Sequence, residues 1–269
     1  MKFKITTDQR AQKLLMLYDI NMTPNYLPKI VQEYPRLFGG EIQKILETHS
    51  AIAGKIPDIL TGKMSASDSV MKEVDKIQLP VSGSLDEVVT AELQLFYSIE
   101  PKISQFLHNT FNVELPKEAT LILLEKSGYE NKSTGGCALC YKPILLGCYV
   151  ERTGRDDVGL VNSILCMCLH ELLHAVLPHK KLTESQHNSS DYEEALIRYF
   201  APEGIFTEWL GLTKKKSIDE YFSANFREIS NLREQATKLL PMIKEYYRSG
   251  LKDIWKYVPL SDDDNETLT

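Results

Sequence analysis

The sequence has no excess of positive charge, because 37 Asp and Glu outnumber 31 Lys and Arg and leave a formal net charge of −6. A domain that binds nucleic acid through its phosphates is usually basic, so we expect no nucleic-acid partner. No apolar run approaches the roughly 20 residues of a membrane span. The first ten residues also lack the apolar segment of a secretory signal. We therefore expect a cytoplasmic protein without a membrane partner.

Cysteine is scarce as well, with five in 269 residues. An odd count without an export signal favours reduced thiols over a disulfide framework. Cys137 and Cys140 form a CxxC pair, but a structural zinc site usually needs a second pair. We therefore interpret this pair as plain buried or turn cysteines. We expect Cys166 and Cys168 to be small core residues of a helix.

The pattern of apolar residues predicts an α+β protein. Hydrophobic residues make up 43% of the chain, which is sufficient for a sizeable core. Apolar runs at 119–125 and 144–150 predict buried strands. Helical spacing of apolar residues occurs at 9–18, 40–52, 85–109, 217–228 and 229–249. We predict a mainly helical N-terminal region, 1–113, followed by a second domain, 114–269.

Residues 170–174 read His-Glu-Leu-Leu-His and form the most informative segment of the chain. Residues four apart lie on one face of a helix, so His170 and His174 can reach the same metal ion. Glu171 can then serve as general base toward a metal-activated water. No other charged residue occurs between Asp157 and His179, which predicts a helix over 158–177 that is buried nearly all round. Polar groups buried in such a helix need a partner, and a zinc ion would provide one.

A catalytic zinc site usually has three protein ligands. A second helix, predicted over 189–200, can bring Glu193 or Glu194 beside the two histidines. Weaker alternatives for the third ligand are Asp191, His179 and His187. Each metal-bound histidine normally donates its other ring N–H to an acceptor, and Glu193, Asp191 and backbone carbonyls are the available acceptors.

The two predicted helices resemble those of the gluzincin metallopeptidases, the thermolysin-like group. In that group a second helix carries a Glu ligand, usually followed by Ala or Gly. Glu194-Ala195 matches this pattern, and the nineteen residues between His174 and Glu194 match its spacing. The resemblance implies one Zn²⁺ held by His170, His174 and Glu194, with Glu193 as the alternative ligand if the register differs by one.

The resemblance also implies a fold. A zincin-like catalytic domain has a small mixed sheet, an active-site helix and C-terminal helices. The edge strand of its sheet pairs with extended substrate through main-chain hydrogen bonds. Residues 144–150 could form that edge, and an internal strand is an equally good interpretation of the same residues.

The sequence departs from the gluzincin pattern at several points. Four residues after the Glu ligand the pattern has an Asp that holds the first histidine, whereas this chain has Arg198. The G-x-M-E-N motif of related aminopeptidases is absent, and no histidine follows His187 to stabilise a transition state. Those aminopeptidases use a later Tyr, which favours Tyr246 or Tyr247 as the oxyanion stabiliser. Further candidates for this role are Tyr199, Arg198 and Tyr221.

These observations lead us to expect a zinc metallopeptidase that acts on a peptide or protein substrate. It would hydrolyse peptide bonds with a zinc-activated water and Glu171 as general base. The alternative is a zincin-fold regulatory or binding protein. Such a protein would have a narrow, single-partner substrate or no general proteolytic activity.

Overall fold

The computed structural model describes residues 2–22, 55–60, 62–65, 68–76, 85–125, 136–139, 144–150, 157–177, 190–227 and 230–260. Within these ranges the protein has a mixed α+β fold with one small sheet. The helix predicted at 40–52 lies outside the described residues, as do His179, His187 and Cys140.

The sheet contains four strands in the spatial order β1-β2-β4-β3. These strands are β1 Lys2–Thr6, β2 Glu118–Glu125, β3 Gly136–Leu139 and β4 Ile144–Val150. Strands β1, β2 and β4 are parallel to one another, and β3 runs antiparallel to β4. Parallel strands typically have near-continuous apolar sequences, and this property made β2 and β4 predictable.

Strand β4 pairs on both sides, with β2 and with β3. Residues 144–150 therefore form an internal strand, and the alternative prediction of a sheet edge is wrong. The apolar runs at 119–125 and 144–150 can be recognised as strands from the sequence. Their residues do not indicate whether a strand pairs with another strand on one side or on both. The described edges of the sheet are β1 and β3.

Strand β1 was not predicted. It pairs in parallel with β2, so that Phe3 lies opposite Ala119 and Ile5 opposite Leu121. The alternation of Lys with Phe and Ile over five residues has the period of two expected of a strand. The N-terminal region therefore contributes a strand to the sheet as well as helices.

The described ranges contain nine α-helices and one 3-10 helix, Ile254–Lys256. In chain order the α-helices are α1 Gln9–Met22, α2 Ile56–Leu60, α3 Asp68–Asp75, α4 Asp86–Phe111, α5 Asp157–Val176, α6 Ser190–Arg198, α7 Ile205–Trp209, α8 Ile218–Asn225 and α9 Ser230–Arg248. Six of the predicted helices are confirmed, with ends that agree within four residues. In the part of the chain that is described, no helix has the length and apolar character needed to cross a membrane.

The chain divides into two compact units. The first comprises Met1–Gln94 with Lys117–Ile164, and the second comprises Leu95–Pro116 with Leu165–Thr269. Each unit combines segments from both sides of residue 113. The division into 1–113 and 114–269 stays a prediction.

The first unit contains the sheet. The buried Gln12 side chain of α1 donates from Nε2 to the carbonyl oxygen of Leu123 in β2, at 2.6 Å. Arg10 of α1 donates through Nε and Nη2 to the two carboxylate oxygens of Asp75, at 3.2 and 2.9 Å. These bonds attach α1 to a strand and to α3.

The second unit has an aromatic core. Phe106 of α4 stacks on Phe206 of α7 with ring centroids 4.4 Å apart, and Phe111 meets the edge of Phe200 at 4.9 Å. All four rings are at most 2% exposed. Because Phe200 and Phe206 flank the turn after α6, this core holds the turn in place.

Candidate metal centre

Helix α5 is buried nearly all round, as predicted. From Val161 to Leu177 each side chain is buried or half-buried, and none is exposed. His170 and Glu171 are each only 5% exposed. Polar side chains at this depth are costly unless they are hydrogen-bonded or bound to a cation, so their partners define the site.

The structure brings His170, His174 and Glu194 together. One potential ligand atom from each lies within 4.8 Å of the other two. The Oε2 atom of Glu194 is 2.9 Å from Nε2 of His174 and 3.5 Å from Nε2 of His170. The same nitrogen of both rings thus faces one carboxylate oxygen. This His-His-Glu group could hold a metal ion, and all three residues belong to the second unit.

The second ring nitrogen of His170 is bound by the main chain. Its Nδ1–H donates to the carbonyl oxygen of Ala201, at 2.9 Å. A carbonyl oxygen only accepts, so this bond places a proton on Nδ1. In the neutral ring the lone pair is then on Nε2, which is the form that binds a metal.

The second ring nitrogen of His174 faces a carboxylate. Nδ1 of His174 donates to Oε1 of Glu193, at 3.2 Å, and Glu193 is only 2% exposed. Burial lowers the pKa of His174, but the hydrogen bonds to Glu193 and Glu194 and the charge of Glu171 outweigh it and raise the pKa to about 10. With this pKa, His174 carries a proton on both nitrogens at neutral pH.

Glu194 has a different partner on each carboxylate oxygen. Oε2 faces the histidines, while Oε1 accepts a hydrogen bond from Nε of Arg198, one helical turn later. Burial alone would raise the pKa of Glu194. The polar contacts with His170 and His174, together with the charge of Arg198, outweigh burial and hold the pKa well below its usual range. Glu194 is therefore ionised at neutral pH.

The turn that carries Ala201 is closely held. Amide N–H groups of Phe200 and Ala201 both donate to the carbonyl oxygen of Ile197, at 2.8 and 2.9 Å. The side-chain amide of Asn225 in α8 donates to the carbonyl oxygens of Arg198 and Glu203, at 2.9 and 3.0 Å. One side chain thus binds both ends of the turn, and the acceptor for His170 has a defined position.

Gly204 allows the close packing at the end of this turn. A Cβ atom at position 204 would lie 2.4 Å from the carbonyl oxygen of Tyr199 and 2.6 Å from the carbonyl carbon of Phe200. The backbone of Gly204 is extended, so the requirement for glycine comes from contact and not from backbone angles.

The tyrosines predicted as oxyanion stabilisers have other partners. The Tyr246 hydroxyl is buried and shares a hydrogen bond with Oγ1 of Thr110, at 2.9 Å. The Tyr247 hydroxyl donates to Oε1 of Glu208, at 3.3 Å. Their role in stabilising an oxyanion stays a prediction.

The further candidates for that role are placed as follows. The Tyr199 hydroxyl donates to the carbonyl oxygen of Ala236, at 2.8 Å, and the Tyr221 hydroxyl donates to Oε2 of Glu208, at 2.5 Å. Of all the candidates, Arg198 is the one that donates a hydrogen bond to a member of the His-His-Glu group, Glu194. Asp191 lies on the first turn of α6 and is not a member of that group.

Sequence reasoning missed two features of the site. The i,i+4 spacing of Glu194 and Arg198 is a known ion-pair signal on helices, yet in the sequence Arg198 stands out only as a departure from the family pattern. The Ala201 carbonyl has no sequence signal, because every residue has a carbonyl. Cys148, Cys166 and Cys168 are buried, and the last two lie on α5, as expected of small core residues of that helix.

Comparison of the chain with protein-family models, with curated proteins and with solved structures finds no match. The site must therefore be interpreted from its own chemistry.

Proposed function

We propose that the protein is a zinc-dependent metallopeptidase of the gluzincin type, with a zincin-like fold. The observation that carries this proposal is the convergence of His170, His174 and Glu194 within 4.8 Å, beside the buried Glu171. Two imidazole nitrogens and one carboxylate oxygen are the donor set of a three-ligand catalytic zinc site.

The residues present fit a zinc ion well. His170 and His174 would bind through Nε2, because Nδ1 of each ring already donates to Ala201 or Glu193. Glu194 would bind through Oε2, the oxygen that faces both rings. Bound there, zinc polarises a substrate carbonyl and makes a water molecule more acidic.

Glu171 is the residue proposed to move the proton. It follows the first ligand on the same helix, and its charge is close enough to contribute to the raised pKa of His174. Its carboxylate would accept a proton from the attacking water and donate it to the leaving nitrogen. The low exposure of Glu171 would keep this proton from bulk solvent.

Substitution of Glu171 by Gln tests the function. Gln has the same shape but cannot accept the proton, so we expect peptide hydrolysis to fall by about a hundredfold or more. Zinc should remain at one ion per chain, since Glu171 is not a proposed ligand. The assay uses a mixed library of fluorogenic peptides together with metal analysis of the same samples.

Glu203→Gln is the matched control, because Glu203 is an exposed carboxylate that pairs with Lys216. We expect the control variant to retain both zinc and activity. Full activity in Glu171→Gln would contradict the mechanism.

The alternative function is a zincin-fold regulatory or binding protein with a single narrow substrate or none. Arg198, at the position where the gluzincin pattern has an Asp, favours this candidate. Full zinc occupancy without cleavage of any library peptide would support it over the general peptidase.

A further inference from the structure

The two oxygens of the Glu194 carboxylate are not equivalent. Oε2 lies beside the Nε2 atoms of both histidines, at 2.9 and 3.5 Å. Oε1 accepts the hydrogen bond from Nε of Arg198. One oxygen therefore faces the metal-binding point, and the other is occupied by a donor from the same helix.

Arg198 is well placed to keep Oε1 occupied. It ends α6, and its carbonyl oxygen accepts a hydrogen bond from Asn225 at 2.9 Å. The side chains of Arg198 and Glu194 are 27% and 23% exposed. An ion pair with this much burial is less screened by solvent than a fully exposed one. The guanidinium also stays charged at any physiological pH.

The number of oxygens that Glu194 uses matters for catalysis. A catalytic zinc site needs three protein ligands and one position for water or substrate. A carboxylate bound through both oxygens would add a fifth donor beside that water and crowd the position that substrate must share. A donor that holds Oε1 prevents this.

We propose that Arg198 is a positioning residue that restricts Glu194 to binding the metal through Oε2 alone, which leaves one coordination position for substrate. This inference rests on the proposed function, since it assumes a metal at the His-His-Glu group. It also gives position 198 a role of its own: the first histidine is already held by the Ala201 carbonyl, so an Asp is not needed there.

Cobalt substitution tests the proposal without an activity assay. Co²⁺ can replace zinc in such N/O sites. Its visible absorption is strong with four tetrahedral ligands, because such a site has no centre of symmetry, and is weaker with five or six. We expect strong absorption for the unsubstituted chain and loss of that strong absorption in Arg198→Met. Cobalt should remain at one ion per chain in both.

Arg198→Gln is the matched variant. Its Nε2 is separated from the backbone by the same number of bonds as Nε of Arg, so it can still donate to Oε1, but it carries no charge. We expect Arg198→Gln to keep the strong absorption. Arg233→Met, which removes an arginine that lies over the ring of Phe222, should have no effect.

Circular dichroism checks that each variant folds, and Arg198→Ala replaces Arg198→Met if the latter does not. An unchanged spectrum in Arg198→Met would overturn the proposal. Loss of absorption in Arg198→Gln as well would also overturn it, because charge and not the hydrogen bond would then be responsible. Loss of bound cobalt from Arg198→Met would overturn it too, since Arg198 would then serve binding itself.

Failure of the proposed function gives different results. If the unsubstituted chain binds no cobalt, the metal centre and this inference are both wrong. If the spectra behave as expected and no peptide is cleaved, only the peptidase proposal fails.

Discussion

His170 and His174 are one helical turn apart, and yet their second ring nitrogens are held by different kinds of acceptor. Nδ1 of His170 donates to a main-chain carbonyl, that of Ala201, and Nδ1 of His174 donates to a carboxylate, that of Glu193. The carbonyl orients its ring without adding charge. The carboxylate adds a full negative charge and contributes to raising the pKa of His174 to about 10.

This difference separates two tasks that outer partners of a metal site perform. One is to fix the orientation of a ligand, and the other is to increase its basicity. At the proposed metal site, the turn after α6 would perform the first task at His170. Glu193 would perform both tasks at His174. Substitutions around His170 and substitutions around His174 should therefore have effects of different kind and size.

The largest effect is expected when Glu194, whose carboxylate lies beside both histidines, is removed. In Glu194→Ala, zinc affinity should fall by more than the roughly ten- to hundredfold that loss of an outer partner costs. Metal analysis after dialysis and chelator competition measure this. Glu203→Ala is the control, since its side chain is 61% exposed. Unchanged zinc content in Glu194→Ala would move the third ligand to Glu193 or elsewhere.

The pH dependence of zinc binding should be set by the protonation of His174. Below its pKa of about 10 the metal-free His174 is protonated, and the metal must displace that proton. Affinity should therefore rise with pH, by about tenfold per unit between about pH 6 and pH 8 if one proton is released. Competition with a chelator, corrected for the chelator's own protonation, measures this. An affinity that does not change over this range would show that His174 is already neutral.

Gly204→Ala should disturb the turn whose Ala201 carbonyl accepts the hydrogen bond from His170. The added Cβ would lie 2.4 Å from the Tyr199 oxygen, so the backbone of the turn must shift. We expect a loss of about 1–3 kcal/mol in the free energy of unfolding, as for other overpacked sites, together with weaker zinc binding. Urea denaturation of the metal-free protein and chelator competition measure the two effects.

Gly211→Ala is the control for that experiment. Gly211 has a φ of +79° and open space around its Cβ position, so the cost there is conformational, roughly 1 kcal/mol. It should leave zinc affinity unchanged. Equal losses of zinc affinity in the two variants would indicate that the turn does not orient His170 specifically.

The smallest effect is expected from Glu193→Gln. The amide oxygen can still accept from Nδ1 of His174, so ring orientation is kept and only the charge is lost. Zinc affinity should fall by about tenfold, at the lower end of the range for outer partners. The rise of affinity with pH should also level off at a lower pH, because His174 loses a group that raises its pKa. Chelator competition at several pH values measures both. A pH profile like that of the unsubstituted chain would remove Glu193 from this role.

Much of the helical framework could be predicted from the sequence. Leu residues between His170 and His174, and the absence of other charges nearby, indicated a buried helix, which α5 is. The nineteen-residue spacing placed Glu194 beside the histidines, and the structure brings it there. Such features depend on periodicity along one or two helices, which the order of residues records directly.

The rest depends on contacts between segments that are distant in sequence. Whether 144–150 is an edge or an internal strand depends on β3, a four-residue strand with a weak pattern. Tyr246 was a candidate for the site, but a hydrogen bond to Thr110, 136 residues away, holds its hydroxyl. No local pattern encodes such partners.

The main-chain acceptor of His170 has a practical consequence for experiments that replace side chains one at a time. Position 201 is already alanine, and any other residue there would still present a carbonyl oxygen. A mutational scan through the second unit would therefore detect the group that holds His174 and would overlook the one that holds His170. The latter becomes visible only indirectly, through Asn225 and Gly204.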